Sequence, residues 1–309
     1  MSTDGSTHFS QAVFRTRLAQ RDGGSLDVPR FRAHLVKRIP LDVGLGGAAS
    51  NAATALWGAN ELCGRPASQE ELTEWSREIG SDVACFLVGS EGAALCSGRA
   101  IFHKPQEVRA VGPLAHSSSA SAPEPELGSA AESDEESDAG GGGSDGLYIV
   151  TPTKGATPLL STPRLFRILA DSSYSTLSAR SPDELVLAAR DGAGADQSTD
   201  RGSSGSGAGD PADAYVNDLE APALECSASL RVIRQELLEL EGFRAARLLG
   251  AGPSLAAFGQ LRSGDSAEAL ARRLARQCAT AKSAEGPLDI QVRRVQFARR
   301  VGVQWYDGE

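Results

Sequence analysis

The 309-residue chain is 40% hydrophobic and 23% charged, which is enough apolar content for a sizeable core and excludes a wholly disordered protein. Its formal net charge of -9 is concentrated in one place: residues 117–146 hold eight acids and no Lys or Arg, and taking those eight from -9 leaves -1. The nearly neutral remainder gives no footprint for nucleic acid or an anionic membrane, and no apolar run reaches the roughly 18 residues of a membrane helix.

Taken in order, the opening MSTDGSTHFS has no apolar region for a secretory signal, and residues 1–13 are too few for a transit peptide, so location is not read from a targeting signal. Alternation over residues 31–39 predicts a strand that Pro40 ends. A glycine-rich turn follows, then an Ala- and Leu-rich helix over 51–63. A second helix is expected over 68–79, with Ser68 and Glu71 spaced as a capping box and Gly80 as its stop. Residues 93–96 read as a strand.

After the acidic stretch, residues 147–150 (LYIV) predict a strand, and 163–169 and 223–240 have helical periodicity. Residues 247–258 (RLLGAGPSLAAF) read as two short strands around a glycine-rich turn, 267–277 as an amphipathic helix and 290–295 as a closing strand. Helices and strands without strict alternation point to an α+β architecture. The five cysteines show no C-x-x-C spacing and the four histidines no H-x-x-x-H spacing, so reduced thiols and no zinc site are expected.

Two stretches, 117–146 and 191–213, are rich in Gly, Ser and acids and hold almost nothing to bury, so they are expected to be flexible inserts. Replacing residues 117–146 with a short Gly-Ser linker is therefore expected to leave the melting temperature within a few degrees, as read by thermal unfolding. A collapse in stability or solubility would show the segment to be structural.

The chemistry centres on Pro40, Leu41, Asp42, Val43, Gly44, Leu45, Gly46, Gly47, Ala48, Ala49, Ser50 and Asn51, between a predicted strand and a predicted helix. Glycines let the backbone approach a phosphate, and the helix start offers unpaired N–H groups and partial positive charge. The spacing is neither the P-loop G-x-x-x-x-G-K-[ST] nor the dinucleotide G-x-G-x-x-G. A plain glycine-rich turn entering a helix fits the same residues.

Several segments in order carry a resemblance. Lys37, Arg38, Ile39 and Pro40, through Gly44-Leu45-Gly46-Gly47 to Ser50-Asn51 and Trp57, are similar to the second motif of the GHMP kinases, in the form found in 4-diphosphocytidyl-2-C-methyl-D-erythritol kinases of the plant type. Residues 74–83 with Gly80-Ser81-Asp82-Val83, Gly92 with 96–99 (CSGR), 216–220 (VNDLE), Gly250-Ala251-Gly252-Pro253-Ser254, and Gln304-Trp305-Tyr306 resemble the family too.

The resemblance implies a two-lobed GHMP kinase fold, with a ribosomal S5 domain 2-like N-terminal lobe over 1–116 and a ferredoxin-like C-terminal lobe over 147–309. It implies ATP with Mg²⁺, a diphosphocytidyl-methylerythritol acceptor phosphorylated on its 2-hydroxyl in the non-mevalonate route to isoprenoids, and a plastid location.

Residue by residue, Asp82 matches the aspartate that takes the proton from the attacking hydroxyl, and a helix-capping role fits the same position. Pro40, Gly44 to Asn51, Gly250, Gly252 and Ser254 match the nucleotide-binding positions. Ser50 is in place to donate to a phosphate or hold Mg²⁺, or simply to cap the helix. Asn217 and Asp218 suit either the cleft or a helix cap. Trp57 and Trp75, at helical positions, suit packing.

The sequence departs from the pattern in three places. Relatives open with a strand carrying P-A-K-[IL]-N-L, whose lysine contacts the catalytic aspartate. Residues 1–30 show no such motif, so the expected fold is N-terminally incomplete and the activity low. Ala48 and Ala49 stand where relatives have Gly-Ser, and Asp42 puts an acid beside the phosphate loop. A nucleotide-binding relative without turnover, and another GHMP kinase such as a homoserine or mevalonate kinase, remain alternatives. Gly46-Gly47, Ser50-Asn51 and 217–220 (NDLE) count against the latter.

Overall fold

The computed structural model describes residues 5–23, 29–37, 39–88, 94–97, 107–110, 146–154, 159–171, 217–239, 243–280 and 286–295. The expected inserts at 117–146 (Gly146 apart) and 191–213 lie outside the described residues, as do Gly92, Arg99, Val216, Gln304, Trp305 and Tyr306.

The N-terminal part is a helical layer. Helix α1 (Gly5–Arg21) packs on α2 (Gly47–Leu62), with α3 (Gln69–Ser76) and α4 (Val83–Val88) completing the group. Phe14 and Leu18 of α1, Ala52, Ala53 and Leu56 of α2, Leu72 and Trp75 of α3 and Val83 and Leu87 of α4 form one core. The small residues of α2 let α1 come close, and Phe14 meets Trp75 edge to face at 6.0 Å. Trp75 is a core residue, and Trp57 packs against the same cluster.

The capping box at α3 forms as expected: Ser68 N–H donates to Glu71 at 2.8 Å, and Glu71 N–H donates to the Ser68 hydroxyl at 3.2 Å. Helix α1 is not among the elements expected from the sequence; its buried Val13, Phe14 and Leu18 place it, and at the surface Arg17 pairs with Glu78 and Arg21 donates to the Pro66 carbonyl at 2.6 Å.

Strands β1 (Ala94–Ser97) and β2 (Glu107–Ala110) form an antiparallel hairpin against α4. The strand expected over 31–39 does not form: residues 31–37 have no regular structure, and Val36 stands 65% exposed. The alternation is present, but among the described residues no strand lies alongside to pair with it.

The C-terminal part is a four-stranded antiparallel sheet in the order β4-β5-β3-β6, made of β3 (Gly146–Thr153), β4 (Phe243–Leu248), β5 (Leu255–Gly259) and β6 (Asp289–Val295). Gly146, which composition assigns to the insert, is the first residue of β3.

Alternate residues Val150, Leu248, Leu255, Ala257 and Val292 face a core shared with α5 (Thr162–Asp171), α6 (Glu220–Cys226), α7 (Ala228–Glu239) and α8 (Ala267–Thr280), while Ala245, Ala256 and Phe258 form a small cluster of their own. The single helix expected over 223–240 is two, because the Ser227 hydroxyl accepts from Leu230 N–H at 3.1 Å and starts α7 afresh. Mixed helices and antiparallel sheet confirm the α+β class.

Candidate active site

Helix α2 begins at Gly47, four residues before the expected start, because Gly46 takes the N-cap position in the left-handed conformation with φ 68°. No side chain caps it. The first intrahelical bond runs from Ser50 N–H to the Gly46 carbonyl at 2.9 Å. The amides of Gly47, Ala48 and Ala49 therefore precede the first closed helical bond and point outward at the positive end of a 16-residue helix.

These amides open into a cavity of about 1020 Å³ whose walls include Pro40, Gly44, Leu45, Gly46, Gly47, Ala48, Ala49, Ser50, Asn51 and Asp82. Leu159 to Arg164, Cys226, Ala251 and Gly252 line the same cavity. Asp82 ends the turn before α4 and is exposed, and its carboxylate accepts from the Ser81 hydroxyl at 3.0 Å. One short segment thus sets both the catalytic candidate and the helix that carries Phe86, whose ring lies over Gly46.

Two glycine turns meet at the cavity's end. A Cβ on Gly44 (φ +79°) would lie 2.3 Å from the Leu249 carbonyl oxygen and 2.8 Å from Gly252 N, so backbone touches backbone there. Ser254 N–H donates to the Val43 carbonyl at 3.2 Å, a hydrogen bond that ties the turn after β4 to the glycine loop before α2.

Gly250 lies against the Gly44 carbonyl and does not line the cavity. Ser254 does not line it either: its side chain is fully buried and its hydroxyl pairs with that of Thr151 at 3.1 Å. Gly250 and Ser254, expected among the nucleotide-binding positions, hold the turn.

Asn217, left open between cleft and cap, is turned away from the cavity. Its Nδ2 donates to the Leu248 carbonyl at 2.9 Å and the Gly250 carbonyl at 2.7 Å, and its Oδ1 accepts from Leu219 N–H at 3.0 Å. Glu220 accepts from Leu248 N–H at 2.8 Å and faces Arg234 and Arg247 at 3.6 and 3.5 Å.

The wall from Leu159 to Arg164 is absent from the residues expected at the site. Nothing in its composition marks it, and the fold brings it into the same cavity as the glycine loop. Asp42, the unexpected acid of the sequence, adopts φ 55° and lines the cavity with Lys37.

Cys85 is disulfide-bonded, which corrects the expectation of reduced thiols throughout; Cys63, Cys226 and Cys278 are free. Burial pushes the Cys63 thiol up, away from thiolate chemistry. Among the described residues no cluster of three or more His, Cys, Asp or Glu could hold a metal, and no helix is long and apolar enough to cross a membrane.

Residues 10–90, which include the open helix start and Asp82, match the GHMP kinases N terminal domain. This segment is a GHMP kinase N-terminal domain. The chain is 30% identical over 254 residues to the 4-diphosphocytidyl-2-C-methyl-D-erythritol kinase of Protochlamydia amoebophila, covering 82% of this chain and 65% of that protein. A stretch of 69 residues is 58% identical to the chloroplastic kinase of the same name from Oryza sativa subsp. japonica, over 22% of this chain and 17% of that one. The Arabidopsis thaliana chloroplastic kinase is 56% identical over 69 residues, 22% of this chain and 18% of that one. The chain therefore spans less than two thirds of the length of these curated relatives. Within the GHMP kinase domain, the helix start and the turn before α4 are the two features that meet in the cavity.

Proposed function

We propose that this chain is an ATP-dependent kinase that phosphorylates the 2-hydroxyl of 4-diphosphocytidyl-2-C-methyl-D-erythritol. The observation that carries the reading is the uncapped start of α2, whose amides share one cavity with the Asp82 carboxylate. An anion-binding helix start and a carboxylate within one cleft are what transfer of a phosphoryl group to an alcohol requires. The names of the relatives support the acceptor, and the plant ones support a plastid location.

In this reading the amides of Gly46 to Ala49 hold the nucleotide phosphates. The acceptor lies against the wall from Leu159 to Arg164, where the Arg164 guanidinium suits its diphosphate. The acceptor oxygen attacks the γ-phosphorus while the bond to the β–γ bridging oxygen breaks and ADP leaves. Asp82 takes the hydroxyl proton.

Asp82, Ser50 and Asp42 supply oxygen donors to the same cavity, which fits a hard cation carried in chiefly on the nucleotide's own phosphates. Bound Mg²⁺ would neutralise charge on those phosphates. Lys37 and Arg164 are the cationic residues of the wall among the described residues.

Mg-ATP is expected to slow amide hydrogen exchange at Gly46 to Ala49 and through the first turn of α2 to Ala52, read by exchange mass spectrometry. Unchanged exchange at saturating nucleotide would remove the phosphate assignment. Protection without formation of ADP in the presence of the acceptor would instead identify a nucleotide-binding relative without turnover.

A further inference from the structure

We infer that Asn217 is a positioning residue for the nucleotide, setting the phosphate end of the cleft from behind the turn after β4. Both hydrogens of its Nδ2 are used, one on the Leu248 carbonyl and one on the Gly250 carbonyl, and its Oδ1 holds Leu219 N–H. Only one orientation of the amide satisfies two carbonyls and one N–H, so the network fixes which atom is the nitrogen.

The turn it grips runs from Leu249 to Ser254, closed by Leu249 N–H to the Ser254 carbonyl at 2.9 Å and Gly252 N–H to the Leu249 carbonyl at 2.8 Å. Ala251 and Gly252 of this turn line the cavity, and Leu249 and Gly252 press on Gly44 of the phosphate loop. Asn217 itself does not line the cavity. Its influence on the nucleotide passes through Gly250 and Gly252 to Gly44, backbone to backbone, where little displacement can be absorbed. Glu220 holds the other side of the same strand end by taking Leu248 N–H.

The inference rests on the nucleotide half of the proposed function and not on the identity of the acceptor. Asn217→Asp keeps the side-chain volume and the oxygen for Leu219, but turns an oxygen toward two carbonyls in place of the donors. Binding of the non-hydrolysable analogue AMP-PNP with Mg²⁺, measured by calorimetry on the full chain, is expected to weaken about tenfold or more, with KM for ATP rising and KM for the acceptor unchanged. The amides of Gly46 to Ala49 are expected to lose their nucleotide-dependent protection in the same variant.

Ile233→Val, a core change on α7 that removes no hydrogen bond to the turn, serves as the control for stability alone. Equal weakening of AMP-PNP binding in Asn217→Asp and Ile233→Val, or unaltered binding in Asn217→Asp, overturns the inference. Should Asn217→Asp not fold, Asn217→Ala removes the grip without opposing oxygens and carries the same expectation. A wild-type chain that binds AMP-PNP but does not phosphorylate the diphosphocytidyl alcohol ends the acceptor reading and leaves this inference to the binding result. A wild-type chain that binds no nucleotide ends both.

Discussion

Gly44→Ala is expected to lower the melting temperature by about 6–12 °C, corresponding to about 3 kcal/mol, and to weaken Mg-ATP binding about tenfold or more. The added Cβ would sit 2.3 Å from the Leu249 carbonyl oxygen and 2.8 Å from Gly252 N. Both are backbone atoms of a turn that is itself hydrogen-bonded to the loop through Ser254 and Val43, so neither side can withdraw without breaking that bond. The backbone at φ +79° adds about 1 kcal/mol or more for any residue with a Cβ.

Two neighbouring glycines act as internal comparisons. A Cβ on Gly46 would meet the Phe86 ring at 2.9 Å, and a side chain can swing aside, so Gly46→Ala is expected to cost less stability despite its φ of +68°. A methyl group on Gly47 would have nothing within 4 Å, and the residue is helical, so Gly47→Ala is expected to leave stability unchanged or slightly raised. Thermal unfolding of the three variants gives the order. Equal melting temperatures for Gly44→Ala and Gly47→Ala would show that the two turns are not in contact in solution.

The parts of this molecule that are legible in sequence are those whose cause is local. Ser68 and Glu71 specify their capping box through three residues of spacing, and the box forms. The two strands around Gly250 and Gly252 follow from short apolar runs on either side of a turn. Helix α2 starts four residues earlier than its alanine content indicates, because alanines mark a helix interior, whereas the true beginning depends on Gly46 adopting a left-handed conformation.

What is illegible depends on contacts distant in sequence. Helix α1 has a narrow apolar stripe, Val13, Phe14 and Leu18, that is stable only against α2 and α3. The alternation at 31–39 asks for a strand, but strands need partners, and pattern alone does not supply one. Ser254 and Gly250 are expected as ligand positions through resemblance to the family's glycine-rich turn. That both lie behind the cavity wall is decided by Thr151 and Gly44, which lie far off in the chain.

In a chain that carries the P-A-K-[IL]-N-L lysine strand, Asp82→Asn is expected to leave folding and Mg-ATP affinity intact and to lower turnover by roughly 10²-fold or more, the scale on which a positioned base contributes. In the 309-residue chain, whose turnover is expected to be low already, the same change is expected to alter kcat little. The substitution separates the two roles that the position allows. Asp82 stands immediately before α4, where either Asp or Asn caps a helix about equally well, so the change costs little stability if capping is all the residue does. Asn keeps the size and an oxygen for the Ser81 hydroxyl, yet cannot accept a proton from an attacking alcohol. Because Asp82 shares the cavity with the open amides of α2 and its carboxylate hydrogen-bonds with Ser81, loss of the base is expected to appear in kcat while KM for ATP stays near its wild-type value. Steady-state kinetics with ATP and the diphosphocytidyl alcohol, alongside a melting curve, read both quantities. Unchanged kcat in a variant of a wild type that turns over would reduce Asp82 to a helix cap and require the hydroxyl proton to leave by another route. A fall in melting temperature with kcat per folded molecule preserved would say the same from the opposite side.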